Sequence, residues 1–165
     1  MNIAKTCTSI AFVSGKGGVG KTTLAVNISW LIANANNRVL IIDFDLQNMG
    51  ATGMFAGLYE LGKSDTLSLL SLGGSIKKSD INLTKIDGEL YFLPAIWAGG
   101  VGQKEIESLG SGEMLRIKLR ALLKIISDNF DFDCVVVDCH GGIDERSIAA
   151  TGVVDHTFVI TEADT

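Results

Sequence analysis

The chain has 165 residues, 47% of them hydrophobic and 20% charged, with 19 glycines and one proline. That composition excludes a disordered chain and fits one α/β domain, residues 1–165, long enough to bury roughly two-thirds of its unfolded surface. A net charge of −5 excludes a surface that grips nucleic acid over its whole extent, and the apolar runs stop short of the roughly 18 residues a membrane span needs, so a cytoplasmic protein is expected.

Residues 7–13 read as a buried strand cut off sharply by Ser14-Gly15. Gly15 and Gly20 then stand with four residues between them, followed by Lys21 and Thr22, which is phosphate-loop spacing. Glycines there let successive backbone N–H groups converge on one point, and the helix that follows adds its unsatisfied N–H groups and positive dipole end. Lys21 is placed to reach the β- and γ-phosphates of a nucleotide, and the Thr22 hydroxyl to ligate the accompanying Mg²⁺. The spacing predicts a helix over residues 22–35 with Leu24, Ile28, Leu31 and Ile32 as its apolar stripe and Trp30 off it, ended by Asn36-Asn37.

Residues 38–44 form a continuous apolar run of the kind a parallel strand makes when both sheet faces are covered, and it delivers Asp43 and Asp45 at its C-terminal end. Short helices are expected over 49–58 and 66–72, with Gly73-Gly74 breaking the second. Short strands are expected over 81–83 and 89–93 around the turn Asp87-Gly88, and a glycine-rich mobile loop over 98–112. A helix over 113–128 puts Leu115, Leu119, Leu122 and Ile126 on one face. Arg116, Arg120 and Lys124 fall on another face and read as solvated rather than as a polyanion site.

Residues 133–139 are a further buried strand, again ending in a carboxylate, Asp138. Gly141-Gly142 turns the chain, Asp144 caps a short helix over 145–151, and 157–161 is the last strand. Strands alternating with helices predict an open, mostly parallel sheet flanked by helices on both faces, with the ligand at the strand C-termini. Cys7, Cys134 and Cys139 form no CxxC pair, two of them lie in apolar strand-like runs and read as small buried hydrophobes, and no disulfide is expected.

Three strand-end carboxylates beside a phosphate loop suit a Mg²⁺–nucleotide site, because phosphoryl transfer chiefly needs positioning and charge neutralisation. Asp138 fits the Walker B role, and only one of Asp43 and Asp45 is expected to face the attacking water.

The run Lys16-Gly17-Gly18-Val19-Gly20-Lys21-Thr22-Thr23 resembles the deviant Walker A motif of the MinD/ParA ATPases, P-loop NTPases of the SIMIBI class, whose signature is the second lysine near the start of the loop. Asp43-Phe44-Asp45-Leu46-Gln47 resembles that family's switch I, and residues 132–143 its Walker B strand and switch II. The resemblance implies a nucleotide cradle of Gly15, Lys16, Gly17, Gly18, Val19, Gly20, Lys21, Thr22 and Thr23, closed by Gly142, which senses the γ-phosphate. It implies Mg²⁺ held by Thr22, Asp138 and, from the outer shell, Asp43, with Lys16, Lys21 and Asp45 as the catalytic set. In that set Lys16 crosses to the partner's phosphates and Asp45 positions the hydrolytic water.

The function so implied is a slow ATPase that dimerises on binding ATP·Mg²⁺, answers to an activating partner protein and times the positioning or partitioning of a cargo. His140 stands where the family usually has proline, and is read as a non-catalytic loop histidine. The family normally continues past the position of Thr165, so a truncated or shortened member is expected. DNA or membrane contact then belongs to the full-length protein and finds no support in this segment. A nucleotide-gated localisation scaffold with little hydrolysis is the alternative. An iron–sulfur ATPase is disfavoured by the lack of paired cysteines, and a tyrosine kinase by the lack of a tyrosine cluster.

Overall fold

A computed structural model describes residues 7–96, 103–110 and 112–162. Its strands are β1 (Thr8–Ser14), β2 (Val39–Asp43), β3 (Thr84–Asp87), β4 (Leu90–Leu93), β5 (Cys134–Gly141) and β6 (His156–Ile160). Its α-helices are α1 (Lys21–Asn34), α2 (Gly50–Ala56), α3 (Thr66–Leu72), α4 (Gln103–Glu107), α5 (Gly112–Asn129) and α6 (Glu145–Thr151).

The strands form one sheet in the order β3-β4-β2-β5-β1-β6, with every neighbouring pair parallel except the β3–β4 hairpin at one edge. Alternation along each buried strand divides the core between the two faces. Leu40, Ile42, Val135 and Val137 pack towards α3, α5 and α6, where the expected stripe Leu115, Leu119, Leu122 and Ile126 is buried. Val39, Ile41, Cys134 and Val136 pack towards Ala25 of α1 and Ala51 and Phe55 of α2. Each fully buried Leu, Ile or Val side chain contributes about 1.5–3 kcal/mol relative to leaving it exposed.

Register places the functional segments together. Asp43 on β2 pairs with Asp138 on β5, and Phe12 on β1 pairs with the same Asp138. A shift between Phe12 and Ser14 then brings Ser14 opposite Gly141. The phosphate loop and both carboxylate-bearing strand ends therefore emerge at one edge of the sheet's centre.

Four local expectations are corrected. In α1 the buried face is Lys21, Ala25 and Ser29, while Leu24 and Leu31 are 41% and 68% exposed and Trp30 packs partly against the core. Small residues let this helix lie close on the sheet, and the Ser29 hydroxyl satisfies itself by donating to Ala25 O at 2.7 Å. The first hairpin arm is Thr84–Asp87 rather than 81–83, because Asn82 N–H donates to Ser64 Oγ instead of to a strand. Within the expected loop at 98–112, Gln103–Glu107 is helical and α5 already begins at Gly112, while 98–102 and 111 lie outside the described residues. On α5 Arg120 and Lys124 are exposed as expected, but Arg116 is half-buried and pairs with Glu113 at 3.3 Å.

Among the described residues no helix is long and apolar enough to cross a membrane. Burial pushes the Cys134 thiol up to about 11 and raises that of Cys139 as well, so both are inert packing groups.

Candidate functional site

The loop after β1 is shaped by its glycines. Gly18 and Gly20 have φ of +80° and +83°, a region that side-chain-bearing residues rarely adopt, and a Cβ at either would meet nothing within 4 Å. Gly20 is the N-cap of α1 and supplies no side-chain cap, and the first turn holds no acidic residue. The first N–H groups of this 14-residue helix therefore meet no capping side chain and face a cleft of about 390 Å³. The cleft is lined by residues 17–23 together with Asp45, Asn48 and Gly50.

Lys21 and Thr22 lie at its floor. Lys21 Nζ donates to Asp138 Oδ1 at 2.7 Å, with the lysine side chain 6% and the aspartate 0% exposed. Burial raises the Asp138 carboxyl above the ordinary range, and Lys21 opposes that by drawing it down. Asp138 Oδ2 is buried without a hydrogen-bond partner, which costs free energy unless a cation or donor meets it. Among the described residues no group of three or more His, Cys, Asp or Glu side chains forms a metal centre. A divalent ion here would thus be held by few protein oxygens, and Thr22 with the orphaned Asp138 Oδ2 fits that need.

The two carboxylates at and just after the end of β2 are engaged differently. Residues two apart on a continuing strand share a face, but β2 ends at Asp43 and the chain turns. Asp43 is fully buried; its Oδ2 accepts from the Thr52 amide and hydroxyl, both at 2.8 Å, and its Oδ1 from Asp45 N–H at 3.0 Å. Burial pushes its carboxyl up to about 7 despite those bonds. The Thr52 hydroxyl also accepts from Ala95 N–H, so Asp43 anchors the start of α2 to the chain after β4. Asp45 faces the cleft. Its Oδ1 accepts from Asn48 N–H at 2.9 Å and meets His140 Nδ1 at 3.0 Å, and its Oδ2 accepts from Asn48 Nδ2 at 3.2 Å. Burial acts to raise this carboxyl, but the Asn48 and His140 bonds together leave it below the ordinary range.

Lys16 Nζ pairs with Glu162 Oε2 at 2.5 Å, with the two side chains 57% and 50% exposed. Gly142, with φ +133°, donates its N–H to Ser14 O at 3.0 Å and is held by the Ser147 hydroxyl on its carbonyl. Gly141 is wedged against the loop, where a Cβ would come within 2.8 Å of Gly17 Cα. Val19 is half-buried and Thr23 exposed at the helix entry, both lining the cleft.

Of the residues singled out from the sequence, 17–23 and Asp45 line this cleft, Asp138 meets Lys21 and Asp43 is set behind, whereas Gly15 and Gly142 line a separate apolar pocket and Lys16 is turned to Glu162. Asn48, Thr52 and Gly141 were not anticipated. The Asx-type turn from Asp45 to Asn48 has a local signal, whereas the reach of Thr52 and His140 depends on the fold.

A family profile described as an AAA domain matches residues 7–164. The chromosome partitioning protein ParA of Caulobacter vibrioides is 31% identical over 150 residues, covering 91% of this chain and 54% of that protein. The chain belongs to the MinD/ParA-type P-loop ATPases. Among solved structures, apo McdA from Cyanothece is 27% identical with a TM-score of 0.72, covering 97% of this chain and 60% of that one. The septum site-determining protein MinD of Pyrococcus horikoshii, solved with Mg-ADP, shares the fold at a TM-score of 0.72 and 24% identity, over 94% of this chain and 58% of that one. The chain spans about half the length of the curated relatives it matches.

Proposed function

We propose that residues 1–165 form a single P-loop ATPase domain of a switch that dimerises on ATP·Mg²⁺ and hydrolyses the nucleotide slowly, under an activating partner, to time the positioning or partitioning of a cargo. The observation that carries the reading is the Lys21–Asp138 pair at the mouth of an uncapped helix, with Asp138 Oδ2 left unpartnered. Thr22 and Asp138 would hold Mg²⁺, which would supply neutralisation of the charge developing in phosphoryl transfer. The chain's own groups do the rest. Lys21 exchanges Asp138 for the β- and γ-phosphates, while Thr22 and Asp138 hold the ion and Asp43 braces the loop behind them. The N–H of Gly142, spent on Ser14 O in this structure, turns to the γ-phosphate. Asp45 orients the attacking water, and Lys16 leaves Glu162 to reach the partner subunit's phosphates, which completes the active site only in the dimer.

The solved MinD with Mg-ADP supports nucleotide and metal for this chain by relationship. The scaffold alternative draws on the crowding of Asp45: Asn48 and His140 already occupy both acceptor sites of Oδ1, and a water must take the site that Asn48 leaves on Oδ2. Calorimetric titration of ATP with phosphate release in Mg²⁺ and in EDTA tests both readings. Saturable binding with Mg²⁺-dependent release is expected; binding without release would favour the scaffold, and no binding would refute both.

A further inference from the structure

The two strand-end loops meet through one side chain. His140 lies near the end of β5, its ring 21% exposed, its carbonyl held by the Ser147 hydroxyl of α6 at 3.3 Å. The same Ser147 hydroxyl also reaches the Gly142 carbonyl at 3.1 Å, so the backbone of His140 and that of Gly142 share one tether. Its Nδ1 lies 3.0 Å from Asp45 Oδ1 and 3.0 Å from Asn48 Nδ2.

These two Nδ1 contacts make opposite demands. Donation to Asp45 needs a hydrogen on Nδ1, and acceptance from Asn48 needs a lone pair there. Without the hydrogen, a bare nitrogen would face a carboxylate oxygen at 3.0 Å, lone pair to lone pair. With it, the contact becomes a charge-assisted hydrogen bond, roughly twice as strong as a neutral one, and Asn48 Nδ2 keeps its bond to Asp45 Oδ2. The proton therefore belongs on Nδ1. All the other bonds on the Asp45 carboxylate come from Asn48 on the same turn, so the imidazole supplies its connection to the segment that contains Gly142.

We infer that His140 is a positioning residue, whose Nδ1–H orients the Asp45 carboxylate and ties it to the end of β5, which Ser147 holds together with Gly142. The inference rests on the reading of Asp45 as the water-positioning group. It assigns a role to the position where relatives were expected to carry proline, a side chain that has no donor to offer.

Asparagine and glutamine separate the two ring nitrogens, since Asn Nδ2 reproduces the place of Nδ1 and Gln Nε2 that of Nε2. In the full-length protein, His140→Ala is expected to lower kcat for phosphate release by about ten- to a hundredfold, the scale of a misplacement near 1 Å, with KM for ATP within about twofold. His140→Asn should restore most of the rate and His140→Gln should not. Amide hydrogen exchange on the nucleotide-free protein supplies a readout apart from turnover: residues 45–48 should exchange faster in His140→Ala and His140→Gln, and as in wild type in His140→Asn. A wild type that releases no phosphate overturns the reading of Asp45 beneath the inference. A wild type that does release it, with His140→Ala matching it in kcat and exchange, or with Gln rescuing as well as Asn, overturns the positioning role alone.

Discussion

Lys21 Nζ lies 2.7 Å from Asp138 Oδ1 with both side chains buried, so the phosphate-loop lysine is committed to the carboxylate of the facing strand until a stronger anion competes for it. A buried pair of this kind contributes little beyond what a well-packed apolar pair would, but breaking it leaves one charge uncompensated. Asp138→Ala should therefore lower the stability of the nucleotide-free protein by about 3–5 kcal/mol in urea titration, and the double variant Lys21→Met/Asp138→Leu should recover most of it. A single variant as stable as wild type would show that the pair is not buried in solution.

Asp43 sets a pH dependence. Its carboxyl is pushed from an ordinary 3.8 to about 7, chiefly by burial, so the folded state keeps a proton that the unfolded state releases above about 4. Stability from this group is thus fully present below the ordinary carboxylate range and is lost as pH rises through about 7, by a few kcal/mol. Asp138 is shifted in the same direction, whereas Asp45, held low, contributes stability above its ordinary range that is lost on acidification. Asp43→Asn should flatten the decline between about pH 4 and pH 7, measured as the urea midpoint at each pH. A decline as steep as wild type would assign it to other groups.

Gly141 tests the packing of the loop. A methyl there would meet Gly17 Cα at 2.8 Å, backbone against backbone, so the phosphate loop must shift. Gly141→Ala should cost about 1–3 kcal/mol of stability and weaken ATP binding by about tenfold or more, read by calorimetry. Unchanged affinity would mean that the loop adjusts freely.

The Lys16–Glu162 pair is half-exposed on both sides and is worth at most about 1 kcal/mol. Glu162→Gln should leave the urea midpoint nearly unchanged and lower the ATP concentration needed for dimerisation by no more than about fivefold. A larger gain would mean that Glu162 restrains Lys16 far more strongly than an exposed pair can.

Much of this arrangement is legible in the chain itself. β2 and β5 are continuous apolar runs, α5 shows its buried stripe at helical spacing, and α6 announces itself through Asp144, whose carboxylate accepts from Ser147 N–H. The loop after β1 is legible because cradling a phosphate demands that glycine spacing. The face of α1 is not, since Ala25 and Ser29 are chosen for close approach to the sheet and carry little hydrophobic signal. Nor are the bonds around the switch carboxylates: Asp45 and His140 stand 95 residues apart and meet only because β2 and β5 are neighbours in register. The expectation that His140 lies in a loop is corrected, because β5 runs on to Gly141 and sets the ring 3.0 Å from Asp45.

Sedimentation velocity of the full-length protein with ATP·Mg²⁺ and with ADP, comparing wild type, Lys16→Ala and Asp45→Ala, decides whether bound ATP joins two subunits through Lys16. Wild type is expected to dimerise with ATP but not with ADP, Asp45→Ala to form a longer-lived ATP dimer, and Lys16→Ala to bind nucleotide yet stay monomeric. A Lys16→Ala protein that dimerises with ATP as wild type does would contradict that role of Lys16.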